Sequence, residues 1–133
     1  MIEELSEGEP RELVVEIARW MAAAVAATER PGTLVIAGDT EVVLEGAALG
    51  QPRDEAEARE MLLRLGGREH EVLGGLALLG PEREGDRPRS REGLAATRVR
   101  FRRLEEPLLE AYLSSGEWEG RAGAYAIQGL GSA

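Results

Sequence analysis

From Glu9 to Ala27 apolar side chains recur three and four positions apart. Val14, Ile17, Met21 and Ala24 fall on one stripe, which predicts an amphipathic helix with Pro10 in its first turn. Arg30-Pro31-Gly32 ends it. Thr33 to Ala37 then predicts a short buried strand, interrupted at Gly38-Asp39-Thr40 and followed by a second strand at Val42-Val43-Leu44, which Glu45-Gly46 turns. Asp54, with Glu57 three residues on, has the pattern of a capping box. It opens a helix whose inward positions are Ala58, Met61, Leu62 and Leu65, and Gly66-Gly67 closes it. Glu71 to Leu79 predicts a strand. Gly80 to Glu92, built from Pro, Gly and alternating charge, predicts a mobile surface loop. Ala95 to Phe101 alternates as a strand, with Thr97, Val99 and Phe101 on one side and Arg98, Arg100 and Arg102 on the other. A short helix at Pro107 to Leu113 and a glycine-rich stretch at Gly123 to Gly131 follow. With no internal repeat and no linker, this pattern predicts one α/β domain over residues 1–133, a mixed sheet flanked by helices.

Composition narrows the chemistry. Apolar residues make up 43% of the 133 positions, enough for a core, but aromatics only 4%, so aliphatic side chains and alanine must fill it. The formal net charge is −9, and all 16 basic residues are Arg. Scattered cations on an acidic chain argue against polymeric nucleic acid, which binds clustered positive charge. With no Cys and one His, disulfides, thiolate nucleophiles and Cys-based zinc sites are excluded. A metal would need oxygen ligands, which points to Mg²⁺ or Mn²⁺. No apolar run approaches the roughly 18 residues of a membrane span. Glu3 and Glu4 follow Met1 where a basic leader would stand. The expectation is a soluble cytoplasmic protein with no membrane partner.

The sharpest local signal is Leu34-Val35-Ile36-Ala37-Gly38-Asp39-Thr40. A carboxylate just past a buried strand stands where open α/β sheets place ligands, and it can hold a divalent cation or orient water. The competing structural role for Asp39 is to cap a turn. Gly50-Gln51-Pro52-Arg53-Asp54 by itself reads as a turn into a capped helix. Gly129 and Gly131 do not follow a strand in the manner of a dinucleotide fingerprint. His70, at a strand start, reads as a structural hydrogen-bond partner, and the Arg98/Arg100/Arg102 row with Arg103 as a solvated face.

Taken in order, these segments resemble the Maf family, the septum-formation-inhibitor-like proteins. Glu12 through Ala22 is similar to the family's first long helix. Ala37-Gly38-Asp39-Thr40 resembles its Ala-Asp-Thr motif, and Leu49 to Asp54 its Gly-Lys-Pro-x-Asp. Ala58 through Val72 resembles a family helix and strand. Thr97 to Phe101 and Arg121 to Gly129 complete the match, the last stretch being the most specific. The resemblance implies a fold of two lobes around a cleft, often as a homodimer. It implies Mg²⁺- or Mn²⁺-dependent hydrolysis of nucleoside triphosphates such as dTTP or UTP to monophosphate and pyrophosphate. Asp39 would position the attacking water and hold metal, Glu4 would be a second carboxylate on metal and substrate, and Gln51 and Gln128 would contact substrate.

The chain also departs from the family pattern. Family members carry a Ser-x-x-Arg loop about 30 residues before this first helix and continue through a further strand and helix beyond Gln128-Gly129. On that comparison the chain is expected to be truncated at both ends, leaving an uncovered sheet edge or apolar surface. Met21 and Gln51 occupy positions where the family has Lys. Drift toward an Arg-rich composition would have kept both charges. Their loss predicts impaired hydrolysis, or an inactive relative kept as a nucleotide-binding or dimerising module.

Overall fold

A computed structural model describes residues 9–85, 87–126 and 129–132. In chain order the elements are α1 (Pro10–Ala26), β1 (Val35–Leu44), β2 (Ala47–Leu49), α2 (Glu55–Leu65), β3 (Glu69–Glu84), β4 (Arg87–Arg100) and α3 (Glu106–Ser115). Short 3-10 turns follow at Ala122–Ala124 and Gly129–Ser132. Helices and strands mix as the pattern predicts, and the class is α/β. The strands form one antiparallel sheet in the order β2-β1-β3-β4.

The residues divide into two compact units. One holds the described residues up to Thr40 together with Leu73–Ala96. In it α1 lies on the sheet through small side chains. Ala18 and Ala22 are fully buried, and they cluster with Val35 and Ala77. A Cβ on Gly75 of β3 would run into the backbone of Val14 and Val15, so glycine there sets how closely helix and strand approach. Arg19 of α1 pairs with Glu92 of β4 at 2.6 Å on the surface.

The buried stripe of α1 is therefore Leu13, Val14, Ile17, Ala18 and Ala22, not the predicted Val14, Ile17, Met21 and Ala24. Met21 is 44% exposed. Close backbone approach selects the alanine side of the helix and turns the larger Met21 outward.

β1 runs unbroken through Gly38-Asp39-Thr40 where two strands were expected. Gly38 lies beside Gly75, its would-be Cβ 3.4 Å from the Gly75 carbonyl oxygen. The neighbouring strand thus carries the ladder across residues whose own preference is to turn. The expected loop at Gly80 to Glu92 is also strand, since β3 and β4 pass through it as a hairpin that turns at Gly85 (φ 65°). Ladder hydrogen bonds use backbone groups and do not depend on polar or apolar side chains, so a charged, exposed ribbon reads as a loop in sequence.

The other unit comprises Glu41–Val72 and the described residues from Thr97 onward. Glu45 (φ 51°) and Gly46 (φ 82°) turn β1 into β2, pairing Val42 with Leu49 and Leu44 with Ala47. This is a two-residue hairpin turn with both central residues left-handed. Asp54 caps α2, its side chain accepting from the Glu57 N–H at 2.8 Å. Ala58 and Leu62 of α2 pack against Leu109, Tyr112 and Leu113 of α3. Arg59 bridges the two helices to Glu106 and Glu110.

Candidate functional site

β1 presents Asp39. Side chains alternate across a strand, so Asp39 shares the face of Val35 and Ala37, both of which pack in the α1 cluster. The carboxylate is half-buried, and its Oδ2 atom is buried with no hydrogen-bond partner. Burial raises its pKa above the ordinary 3.8, against a smaller opposing pull from a backbone hydrogen bond at Thr40. A buried carboxylate oxygen without a donor is costly unless a proton, cation or ligand meets it. Asp39 thus stands inside a strand, not past a strand end, and it does not cap a turn.

The other predicted positions stand differently. Gln51 is exposed, and the preceding Gly50 carbonyl accepts a hydrogen bond from the Gly123 N–H at 3.1 Å. That bond brings together the Gly-Gln-Pro and Gly-Ala-Tyr segments, 73 residues apart in sequence. Gly123 is left-handed (φ 68°), and its would-be Cβ lies 3.0 Å from the Val42 side chain, so only glycine fits. Asp54 is engaged as a helix cap. Glu4 and Gln128 lie outside the described residues.

Sequence reasoning missed the aromatic frame beneath the Gly123 segment. The Tyr112 hydroxyl donates to the buried Ala124 carbonyl at 2.9 Å. Tyr125 shares a 2.5 Å hydrogen bond with His70 Nε2. Phe101 meets both the His70 and Tyr125 rings edge-on, at 5.0 and 4.6 Å between centroids. Burial pushes Tyr125 up to about 12 and His70 below the ordinary histidine value. His70 therefore acts as the structural partner that was expected. The available signal for the frame was scarcity, since the chain has only five aromatic residues and three of them lie here.

Among the described residues no three His, Asp or Glu side chains converge as a metal cage. What fits Mg²⁺ or Mn²⁺ is the buried Asp39 Oδ2 atom, a hard oxygen ligand without a hydrogen-bond partner.

The sequence profile of the family described as Maf-like protein matches residues 1–133. The chain belongs to the Maf family. It is 48% identical over 132 residues to a dTTP/UTP pyrophosphatase of Cereibacter sphaeroides, an alignment covering 98% of this chain and 65% of that protein. A dTTP/UTP pyrophosphatase of Pyrococcus horikoshii is 42% identical over 122 residues, covering 92% and 62%. A third, from Anaeromyxobacter dehalogenans, is 43% identical over 130 residues, covering 93% and 60%. The chain thus spans less than two thirds of the length of each of these Maf relatives.

Proposed function

We propose that this Maf protein is a nucleoside triphosphate pyrophosphatase that hydrolyses dTTP or UTP to the monophosphate and pyrophosphate, at a reduced rate. The observation that carries the reading is the buried, partnerless Asp39 oxygen within Ala-Gly-Asp-Thr, in a chain similar to proteins named for that activity. Water attacks phosphorus, the bond to the pyrophosphate leaving group breaks, and the Asp39 carboxylate takes the water's proton. Burial that raises the Asp39 pKa makes this carboxylate a better base than an exposed one. Mg²⁺ or Mn²⁺, when bound, neutralises phosphate charge, with Asp39 and Glu4 as its protein ligands. Gln51 and Gln128 contact the substrate through their amides. Met21 and Gln51 supply no positive charge to a triphosphate, which supports the reduced rate.

Ile36 and Leu76 are large, apolar and at least 44% exposed, and they alternate with Val35 and Ala77, so both lie on the sheet face away from α1. They support a homodimer that buries this surface, and the substrate class supports a cytoplasmic setting. The second reading, an inactive nucleotide-binding or dimerising module, rests on the same two uncharged positions.

Pyrophosphate release from dTTP and UTP with Mg²⁺ or Mn²⁺ tests the proposal. Slow release that stops on chelation and in Asp39→Asn is expected. Equal rates for Asp39→Asn and the parent would remove Asp39 from the mechanism. Nucleotide binding without any release would establish the second reading.

A further inference from the structure

Gly123, Ala124 and Tyr125 are each held from a different part of the same unit. The Gly123 N–H donates to the Gly50 carbonyl at 3.1 Å, in the segment that leads into α2. The Tyr112 hydroxyl, on α3, donates to the Ala124 carbonyl at 2.9 Å. His70 Nε2, at the start of β3, lies 2.5 Å from the Tyr125 hydroxyl oxygen. Three successive residues are thus gripped from three directions, and one of the grips ends beside Gln51.

The backbone held in this way is one the chain would not adopt by itself. Gly123 and Ala124 are both left-handed, with φ 68° and 70°. Glycine takes that conformation at no steric cost, but a residue with a Cβ does not. Such a residue persists only where its surroundings over-determine it. Ala124 is fully buried, its methyl packed with Ala58, Leu62 and Leu109. Packing fixes where the methyl lies. The Tyr112 hydroxyl fixes where the carbonyl points, and with it the plane of the peptide that leads to Tyr125. Relaxation of Ala124 toward right-handed φ would turn the Gly123 N–H off the Gly50 carbonyl. It would also change the direction in which the chain leaves Tyr125, three residues before Gln128 in sequence.

We propose that Tyr112 and His70 are positioning residues of the nucleotide site: they hold the left-handed Gly123–Ala124 turn, and the turn holds the Gly50 backbone that presents Gln51 to the triphosphate. Both act through backbone, without contacting the nucleotide. This role rests on Gln51 contacting substrate, as the proposed function has it.

The test sets Tyr112→Phe and Tyr125→Phe, each of which removes one grip and keeps its ring, against Leu109→Val. The last thins the same packing and leaves both grips in place. Hydrogen exchange of the Gly123 amide is read by NMR on the full chain without nucleotide. It should be at least about tenfold faster in both tyrosine variants and close to the parent's in Leu109→Val. Calorimetry uses Mg²⁺ and the α,β-imido analogue of dTTP, which resists cleavage between the α and β phosphates. Affinity should be at least about fivefold weaker in both tyrosine variants, the scale of one lost hydrogen bond, and near the parent's in Leu109→Val. Unchanged Gly123 exchange in both tyrosine variants would overturn the proposal. So would faster exchange with unchanged affinity, which leaves the parent's nucleotide binding intact, or an equal loss of affinity in Leu109→Val, which reduces the effect to general destabilisation. A parent chain that binds no nucleotide would overturn the proposed function itself, and this role with it, whatever the exchange rates.

Discussion

His70 Nε2 and the Tyr125 hydroxyl oxygen lie 2.5 Å apart, tying the start of β3 to the segment just past the Ala122–Ala124 turn. His70 is 4% exposed, and its Nδ1 is buried with no hydrogen-bond partner. Burial favours the neutral ring, so its folded pKa lies below the ordinary 6.5. The stability it contributes is present above pH 6.5 and is lost as pH falls through the folded value, because the unfolded chain takes up the proton first. Thermal melts between pH 7.5 and 5 should show falling stability, and His70→Phe should flatten that slope. An unchanged slope would mean that another group titrates.

Tyr125→Phe leaves Nε2 of the same histidine buried and without its partner. The expected cost is about 1–3 kcal/mol, measured by urea denaturation at pH 7.5. A cost near zero would show that the ring contacts with Phe101, not the hydrogen bond, hold the segment.

Asp39 titrates in the opposite sense. Its folded pKa is raised, so its contribution is fully present below the ordinary 3.8 and lost as pH rises through the folded value. Asp39→Asn should therefore be more stable than the parent at neutral pH, with the difference closing below pH 3.8. Its pyrophosphate release should fall by at least about a hundredfold, the scale of a lost general base. Gain of stability with loss of activity in one variant would separate a functional carboxylate from a structural one.

Gly75→Ala should be severe. The added methyl meets the backbone of Val14 and Val15, and backbone cannot rotate aside as a side chain can. A loss of about 1–3 kcal/mol or more is expected by denaturation, whereas Gly74→Ala, with open space at its Cβ, should cost far less.

Met21→Lys should be tolerated, within about 0.5 kcal/mol, because the side chain is 44% exposed and its ammonium stays hydrated. Gln51 is exposed too, so Met21→Lys with Gln51→Lys should fold normally and bind dTTP more tightly by calorimetry. Unchanged affinity in the folded double variant would remove both positions from the triphosphate site.

Local information sufficed wherever an element depends on its own residues. Asp54 and Glu57 announce the start of α2 because a cap joins residues three apart. Glu45-Gly46 announces the first hairpin because its φ values are chosen by those two residues. The ordered motifs from Ala37 to Gly129 were enough to mark the Maf family. Contacts between distant segments decided the rest. Gly75 beside Val14 determined which stripe of α1 is buried, and so that Met21 faces solvent. β3 beside Gly38 carried β1 through residues that favour a turn, leaving Asp39 half-buried with one carboxylate oxygen unmet. The Gly123 N–H on the Gly50 carbonyl joined two motifs 73 residues apart. Such outcomes depend on backbone approach and ladder pairing, which a side-chain pattern along one segment does not encode.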